Sequence, residues 1–343
     1  MNPYDPTGEK GEQVRSMFDR VAHSYDRLNH LLSLGIDRSW RRRVAKMVAQ
    51  ELGAASGRQE QAGYGERDGR PGRTDVKPSA VEFAWTAEAR RRKAEPEDRS
   101  PRLPQPNDTA PPSAALLDLA TGTGDMAIAL ARRCPGAQIT GVDLSEKMVE
   151  IGREKIARAG LSDRITLLVG SAEELPLAGA GGGQGERDGR LRRTVFSPRP
   201  AACAAQALAV PFSAPDNADG LPATGFDAAT VAFGVRNFSD IALGLAQLNR
   251  ALRKGGALYI LEFSTPHIKF FGYLYHCYFH RVVPVIGGWL SGDRKAYDYL
   301  PASVDEFPAP DRFMETMRQA GFDRCSARRM FFGVAMIYKG IKI

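Results

Sequence analysis

The residues best placed to do chemistry lie where apolar runs end. In "LLDLATGTGD" (116–125) an apolar run carries Asp118, reaches Gly122 and Gly124 with Thr123 between them, and closes on Asp125. Glycines at this spacing let the backbone turn tightly and approach a ligand, and Gly122, Gly124 and Ala127 formally match GxGxx[GA]. Two cofactors suit such a turn. A dinucleotide is held by its pyrophosphate, whereas S-adenosylmethionine has no phosphate and carries an ammonium and a sulfonium. Asp118 and Asp125 beside the glycines would repel a pyrophosphate, so their charge favours the cationic ligand. Asp143, ending "ITGVD", can accept hydrogen bonds from both ribose hydroxyls. Ser171 and Ala172, in "GSAEELP", are expected at the rim of the adenine. Further on, "AFGVRNFSD" offers Arg236 and Asn237 as donors for an oxyanion. The Asn/Asp-Pro-Pro-Tyr type of sequence that nucleic-acid and amide N-methyltransferases carry there is absent.

These loops need strands and helices to hold them. Apolar residues at helical spacing predict a helix over "EQVRSMFDRVAHSYDRLNHLLS" and a second over "DRSWRRRVAKMVAQEL", with Asp37 or Ser39 near its cap. From residue 114 strands and helices alternate: "ALLDLA", "DMAIALARRC", "QITGVDLS", "EKMVEIGREKIARAG", "ITLLVGSA", then "FDAATVAFGV", "DIALGLAQLNRALRKGG" and "GALYILEFS". Such alternation predicts a doubly wound, mainly parallel sheet, and the tail adds a helix and an antiparallel closing hairpin. The ligand of such a sheet sits beyond the carboxyl ends of its strands, where the loops above fall.

Two segments break the pattern. Residues 53–113 and 178–225 are rich in Gly, Pro, Ala and Arg, and each holds one copy of a short repeat, "GERDGRPGRT" and "GERDGRLRRT". Two copies do not build a repeat fold, and both segments read as disordered insertions. The expected organisation is a helical lid at 1–52, an insertion at 53–113, and a catalytic domain at 114–343 interrupted at 178–225.

Composition narrows the class. Of the 343 residues, 43% are hydrophobic and 25% charged, as in soluble globular proteins. Four dispersed cysteines form no metal-ligand spacing, and no metal is expected. The N-terminus reads as neither signal nor transit peptide, which fits a cytoplasmic protein. The apolar stretch 270–290 is broken by His276, His280, Arg281 and Pro284, so no membrane-spanning helix is expected. The formal charge of +7 admits a basic nucleic-acid-binding protein as a second class. Acidic residues nearly balance the basic ones in the two insertions, which weighs against it.

Together, "MFDRVAHSYDRLNHLLSLGIDRSWRR", "LLDLATGTGD", "FGVRNFSD", "LRKGGALYILEFSTP" and "YDYLPASVDEFP" resemble the UbiE family, the demethylmenaquinone and 2-polyprenyl-6-methoxybenzoquinol C-methyltransferases. The resemblance spans residues 12–52, 114–177 and 226–343. It implies a class I S-adenosylmethionine-dependent methyltransferase fold, Rossmann-like and doubly wound. It also implies a polyprenyl hydroquinone substrate, demethylmenaquinol foremost, with transient contact to the inner membrane surface and a homodimer as a further option. No nucleic-acid partner is implied. The family's cofactor positions fall on Thr123, Asp143, Ser171 and Ala172, joined here by Asp118, Gly122 and Gly124. Arg236, Asn237 and Tyr25 are the catalytic candidates. The helix bearing Phe18, Asp19, Tyr25 and Asn29 would exclude water, and Tyr297 and Tyr299 would reach the substrate. The aromatic residues of 270–290 would either line a channel for the prenyl tail, rest on a bilayer, or pack as core. Thr121 replaces a glycine found in some members, and the second insertion lengthens the link after "EELP". A methyltransferase of another small molecule stays open.

Overall fold

The computed structural model describes residues 2–5, 7–65, 114–175, 225–266 and 269–343. The expected insertions lie mostly outside these. The chain divides into two compact units, Met1–Gly53 with Ser113–Ile343, and Ala54–Pro112. Of the second, only the helical backbone to Gly65 is described.

Seven strands form one sheet in the order β3-β2-β1-β4-β5-β7-β6. β1 (Ala115–Leu119), β2 (Gln138–Asp143), β3 (Ile165–Val169), β4 (Phe226–Ala232) and β5 (Leu252–Phe263) run parallel. β6 (Phe322–Met330) and β7 (Ala335–Lys342) close the sheet as antiparallel strands. The parallel strands are near-continuous apolar runs because helices cover both their faces. The order reverses between β1 and β4, and the crevice at that switch point is where a ligand binds.

Local signals start the helices. In α4 (Glu146–Arg158) Ser145 Oγ accepts from Met148 N at 3.2 Å, and in α5 (Ile241–Ala251) Asp240 accepts from Leu243 N at 3.0 Å. α3 (Asp125–Arg133) begins instead at Gly124, whose φ of 81° suits a residue without Cβ. On one face of the sheet Met126, Leu130 and Val149 pack with Tyr259; on the other Leu245, Leu248, Phe313 and Met317 pack with Tyr338.

Two elements depart from the sequence expectations. α2 (Ile36–Gly65) continues past residue 53, and its Trp40, Val44 and Val48 are buried in the first core. Their i, i+4, i+8 spacing puts all three on one stripe, so α2 is part of the domain's core, while its first turns join α1 (Lys10–Leu32) at the ligand crevice. α5 stops at Ala251 rather than at the glycines of "RKGG", because Leu252 is already extended and paired with Phe226. Stretch 270–290 folds as α6 (Lys269–Cys277), a π-helical turn at Tyr278–Val282 and α7 (Val283–Ser291), followed by α8 (Arg294–Asp305). Among the described residues no helix is long and apolar enough to cross a membrane. α9 (Pro310–Gln319) anchors the hairpin through Phe313, whose ring lies 4.7 Å from that of Tyr338.

Phe313 is fully buried, so Phe313→Ala is expected to cost about 3–5 kcal/mol in urea unfolding. A loss under about 1 kcal/mol would show that α9 is dispensable to the core.

Candidate active site

Two cavities meet at the switch point. The first, of about 290 Å³, is bordered by Gly122, Asp143, Ser171 and Ala172, four of the residues expected at the cofactor. Asp143 builds it. Its Oδ2 accepts from Gly122 N at 2.7 Å and its Oδ1 from Ser145 N at 2.9 Å, joining the loops after β1 and β2. Burial raises the pKa of this carboxyl against those hydrogen bonds. Gly122 has a φ of 57°, a left-handed turn that a residue without Cβ adopts freely. Ser171 Oγ donates to Glu173 at 2.6 Å, and Glu173 accepts from Ser239 N at 2.7 Å, bracing the β3 loop against the β4 loop.

The other three cofactor candidates do not border this cavity. Asp118 is fully buried beneath the loop, where its carboxylate accepts from Thr121 Oγ1 at 2.6 Å and Thr230 Oγ1 at 2.7 Å. In the parallel register Asp118 lies opposite Thr230, which fixes this pairing. Thr123 Oγ1 donates to Asp26 at 2.6 Å, and Gly124 packs against Ile156 at the start of α3. Asp125 is ion-paired with Lys155, which also meets Asp26 at 2.6 Å. Of Asp118, Asp125 and Asp143, only Asp143 borders this cavity.

Asp125 belongs to a network that the sequence did not suggest. His30 contacts Asp37 at 2.9 Å and Asp125 at 3.6 Å, while Arg41 pairs with Asp37. His30, Asp37 and Asp125 have the spacing of a metal site. Both carboxylates are already matched by Arg41 and Lys155, which hold Asp125 below the ordinary carboxyl value although burial alone would raise it. The cluster ties α1 to α2, α3 and α4 through the contacts of His30 and the Asp26–Lys155 ion pair.

The second cavity, of about 510 Å³, is largely apolar and lies between α1, α2, α6–α8 and the ends of β4 and β5. Tyr25, Arg236 and Asn237 all border it, as do Phe18, Asn29, Tyr297 and Tyr299. Asp19 does not; it accepts from Ser145 Oγ at 2.5 Å. Phe18, Tyr25, Phe233 and Asn237 border both cavities and form the partition between them. Stretch 270–290 is split: Tyr275, Tyr278 and Phe279 face the cavity, whereas Tyr273 and Trp289 are 71% and 83% exposed.

Arg236, expected from sequence as a donor for an oxyanion, is ion-paired. Its Nη1 donates to the fully buried Glu262 at 2.5 Å and to Phe233 O at 2.7 Å. Glu262 stands inside the apolar run "LYILEF" of β5, and a charge buried there must be paired. That signal was readable, but its partner was not.

Two family models match the amino-acid sequence. The model described as the ubiE/COQ5 methyltransferase family covers residues 6–57 and 208–342, and a methyltransferase domain covers 116–181. The chain belongs to the ubiE/COQ5 methyltransferase family. Relatives include proteins named ubiquinone/menaquinone biosynthesis C-methyltransferase UbiE from Geotalea daltonii, 33% identical over 97% of this chain and 98% of its own, and from Geobacter sulfurreducens, 34% identical over 97% and 90%. A Bacteroides fragilis protein named demethylmenaquinone methyltransferase is 30% identical over 100% of this chain and 97% of its own.

S-adenosylmethionine is the cofactor of this methyltransferase, and the smaller cavity fits it. Each oxygen of Asp143 keeps a lone pair for a ribose hydroxyl, and Gly122 leaves the loop without a side chain.

Burial pushes the Asp118 pKa up to about 6 from 3.8, although Thr121 and Thr230 pull it down. A raised folded pKa makes this group most favourable to folding below about 3.8 and removes that contribution as pH climbs through about 6. The cofactor-free protein should lose up to roughly 3 kcal/mol through this group across that window. Asp118→Asn should be insensitive to it, so the stability difference between variant and wild type in urea titrations should grow from acid to neutral pH. A difference constant with pH would refute the assignment.

Proposed function

We propose that this methyltransferase acts on a ring carbon of a reduced polyprenyl quinone, with demethylmenaquinol as substrate. The carrying observation is a largely apolar cavity that Arg236 and Asn237 border, divided from the cofactor cavity by Phe18, Tyr25, Phe233 and Asn237. An aromatic diol with a greasy tail fits that division. The family relatives named for menaquinone biosynthesis support the same substrate class.

When bound, S-adenosylmethionine supplies an electrophilic methyl on a positively charged sulfur. The chain must make a ring carbon nucleophilic, which requires a phenol of pKa ~10 to shed its proton as attack proceeds. Arg236 Nε is buried without a partner, and its N–H can stabilise the forming phenolate. Asn237 Oδ1, equally unpartnered, can accept from a substrate hydroxyl. Glu262 fixes the guanidinium and cancels its resting charge, so the site accepts a neutral quinol without an unpaired buried cation. Tyr25 remains a neutral hydroxyl, because burial raises its pKa, and it closes the partition against water with Phe18 at 5.8 Å between ring centres.

The direct test is anaerobic incubation with S-adenosylmethionine and short-chain demethylmenaquinol or the corresponding benzoquinol, with the lipid product weighed. Methyl gain on the naphthoquinol is expected; none on either ring would end this reading. Arg236→Ala should retain cofactor affinity by calorimetry while turnover falls about 10²–10³-fold. Unchanged turnover would remove Arg236 from the mechanism.

The reading extends to a membrane surface for presenting the tail. α7 helps wall the cavity through Val283 and exposes Val285, Trp289 and Leu290 to solvent, and aromatic residues of this kind favour a lipid interface. In flotation with anionic liposomes the wild type should rise with the lipid, and Trp289→Ser should do so several-fold less. Equal recovery of the two would place the contact elsewhere.

A further inference from the structure

Among the described side chains, four buried polar atoms have no hydrogen-bond partner: Arg236 Nε, Asn237 Oδ1, Tyr275 OH and Tyr299 OH. All four belong to residues bordering the 510 Å³ cavity. A buried hydroxyl left unpaired costs on the order of 1–3 kcal/mol, and phenylalanine would fill the same apolar space without that cost. Two such hydroxyls, brought from α6 and α8 to one cavity, therefore point to a ligand atom that completes them. Tyr278 supplies the contrast, since it borders the same cavity but its hydroxyl donates to Leu32 O at 2.9 Å.

We infer that Tyr275 and Tyr299 are substrate-binding residues whose hydroxyls, with Arg236 Nε, grip one ring oxygen of an aromatic diol, while Asn237 Oδ1 accepts from the other hydroxyl. This rests on the quinol reading and specifies how the ring is recognised. Arg236, Tyr275 and Tyr299 border the same cavity, and both phenols feel the Arg236 charge. Burial still dominates: it raises the Tyr275 pKa and pushes that of Tyr299 up to about 12. At neutral pH both are O–H donors and neither is a base. Three donors around one oxygen favour its anionic form, so the set should stabilise the phenolate more than the bound phenol. Tyr275 is held for this task by the ring of Phe279, stacked at 5.0 Å. A ring lacking the gripped oxygen would leave all three donors unpaired, so the grip also rejects rings without that oxygen.

The test uses the full chain with S-adenosylhomocysteine, a short-prenyl naphthohydroquinone, and its two analogues that each lack one ring hydroxyl. Kd is measured anaerobically for the wild type, Tyr275→Phe, Tyr299→Phe and the double variant. Each phenylalanine should weaken hydroquinone binding about tenfold and should leave one of the two analogues, the one missing the gripped oxygen, bound as by the wild type. The melting temperature should hold or rise, because an unpaired hydroxyl has been removed. Equal losses for the hydroquinone and both analogues would mean altered packing and overturn the proposal. Unchanged hydroquinone Kd in the double variant, beside a wild type that binds and methylates the quinol, would overturn it while leaving the quinol reading intact. A wild type that neither binds nor methylates any quinol would overturn both.

Discussion

A carboxylate sealed from water holds the two halves of the site together. Asp118 sits within the sheet with no exposure, and its two oxygens take the hydroxyls of Thr121 and Thr230. One bond fixes the cofactor loop leaving β1; the other fixes β4, whose end leads to Phe233, Arg236 and Asn237. In a low-dielectric interior each bond is strong and each unmet lone pair costly, so the three residues lock as a unit. Asp143 adds the outer fastening by receiving Gly122 N and Ser145 N. The loops are thereby placed before any ligand arrives, which lowers the entropic cost of binding.

The covering helix is fastened differently. α1 buries Met17, Val21 and Leu28 against Met148, Val283 and Tyr297, while Asp26 and His30 join the ion network with Lys155, Asp125 and Asp37. One face of the helix is thus a greasy seal and the other an ionic latch. Between them Phe18 and Tyr25 form part of the partition separating the two cavities. A methyl cation equivalent and a forming phenolate are both quenched by water, so a dry boundary at this place serves the chemistry directly.

Much of this was legible in the chain. The alternation of apolar strands with amphipathic helices implies a parallel sheet, and loops at the strand ends must then share one edge. Gly122, Asp143, Ser171 and Ala172 follow from that rule, and they do border the smaller cavity. Tyr25, Arg236 and Asn237, singled out by motif and resemblance, do meet in the larger one. Periodicity also marks the stripe Trp40, Val44 and Val48, although the sequence alone left α2 in a lid rather than in the core.

What the sequence determined by itself is the face each residue presents from its own element; what lies across from that face was decided only in the folded chain. Asp118 looks from its spacing like a ligand to a cation, yet parallel register sets it opposite Thr230 and closes it off. Arg236 reads as a free donor until β5 brings Glu262 to its Nη1, 26 residues away. Tyr275 and Tyr299 look like interchangeable aromatics, and only tertiary packing leaves their hydroxyls dry and unpaired at the cavity that Arg236 also borders. Pairing of buried charges and hydroxyls is long-range. Its energy depends on distance and on exclusion of water, neither of which is encoded in any local run of residues.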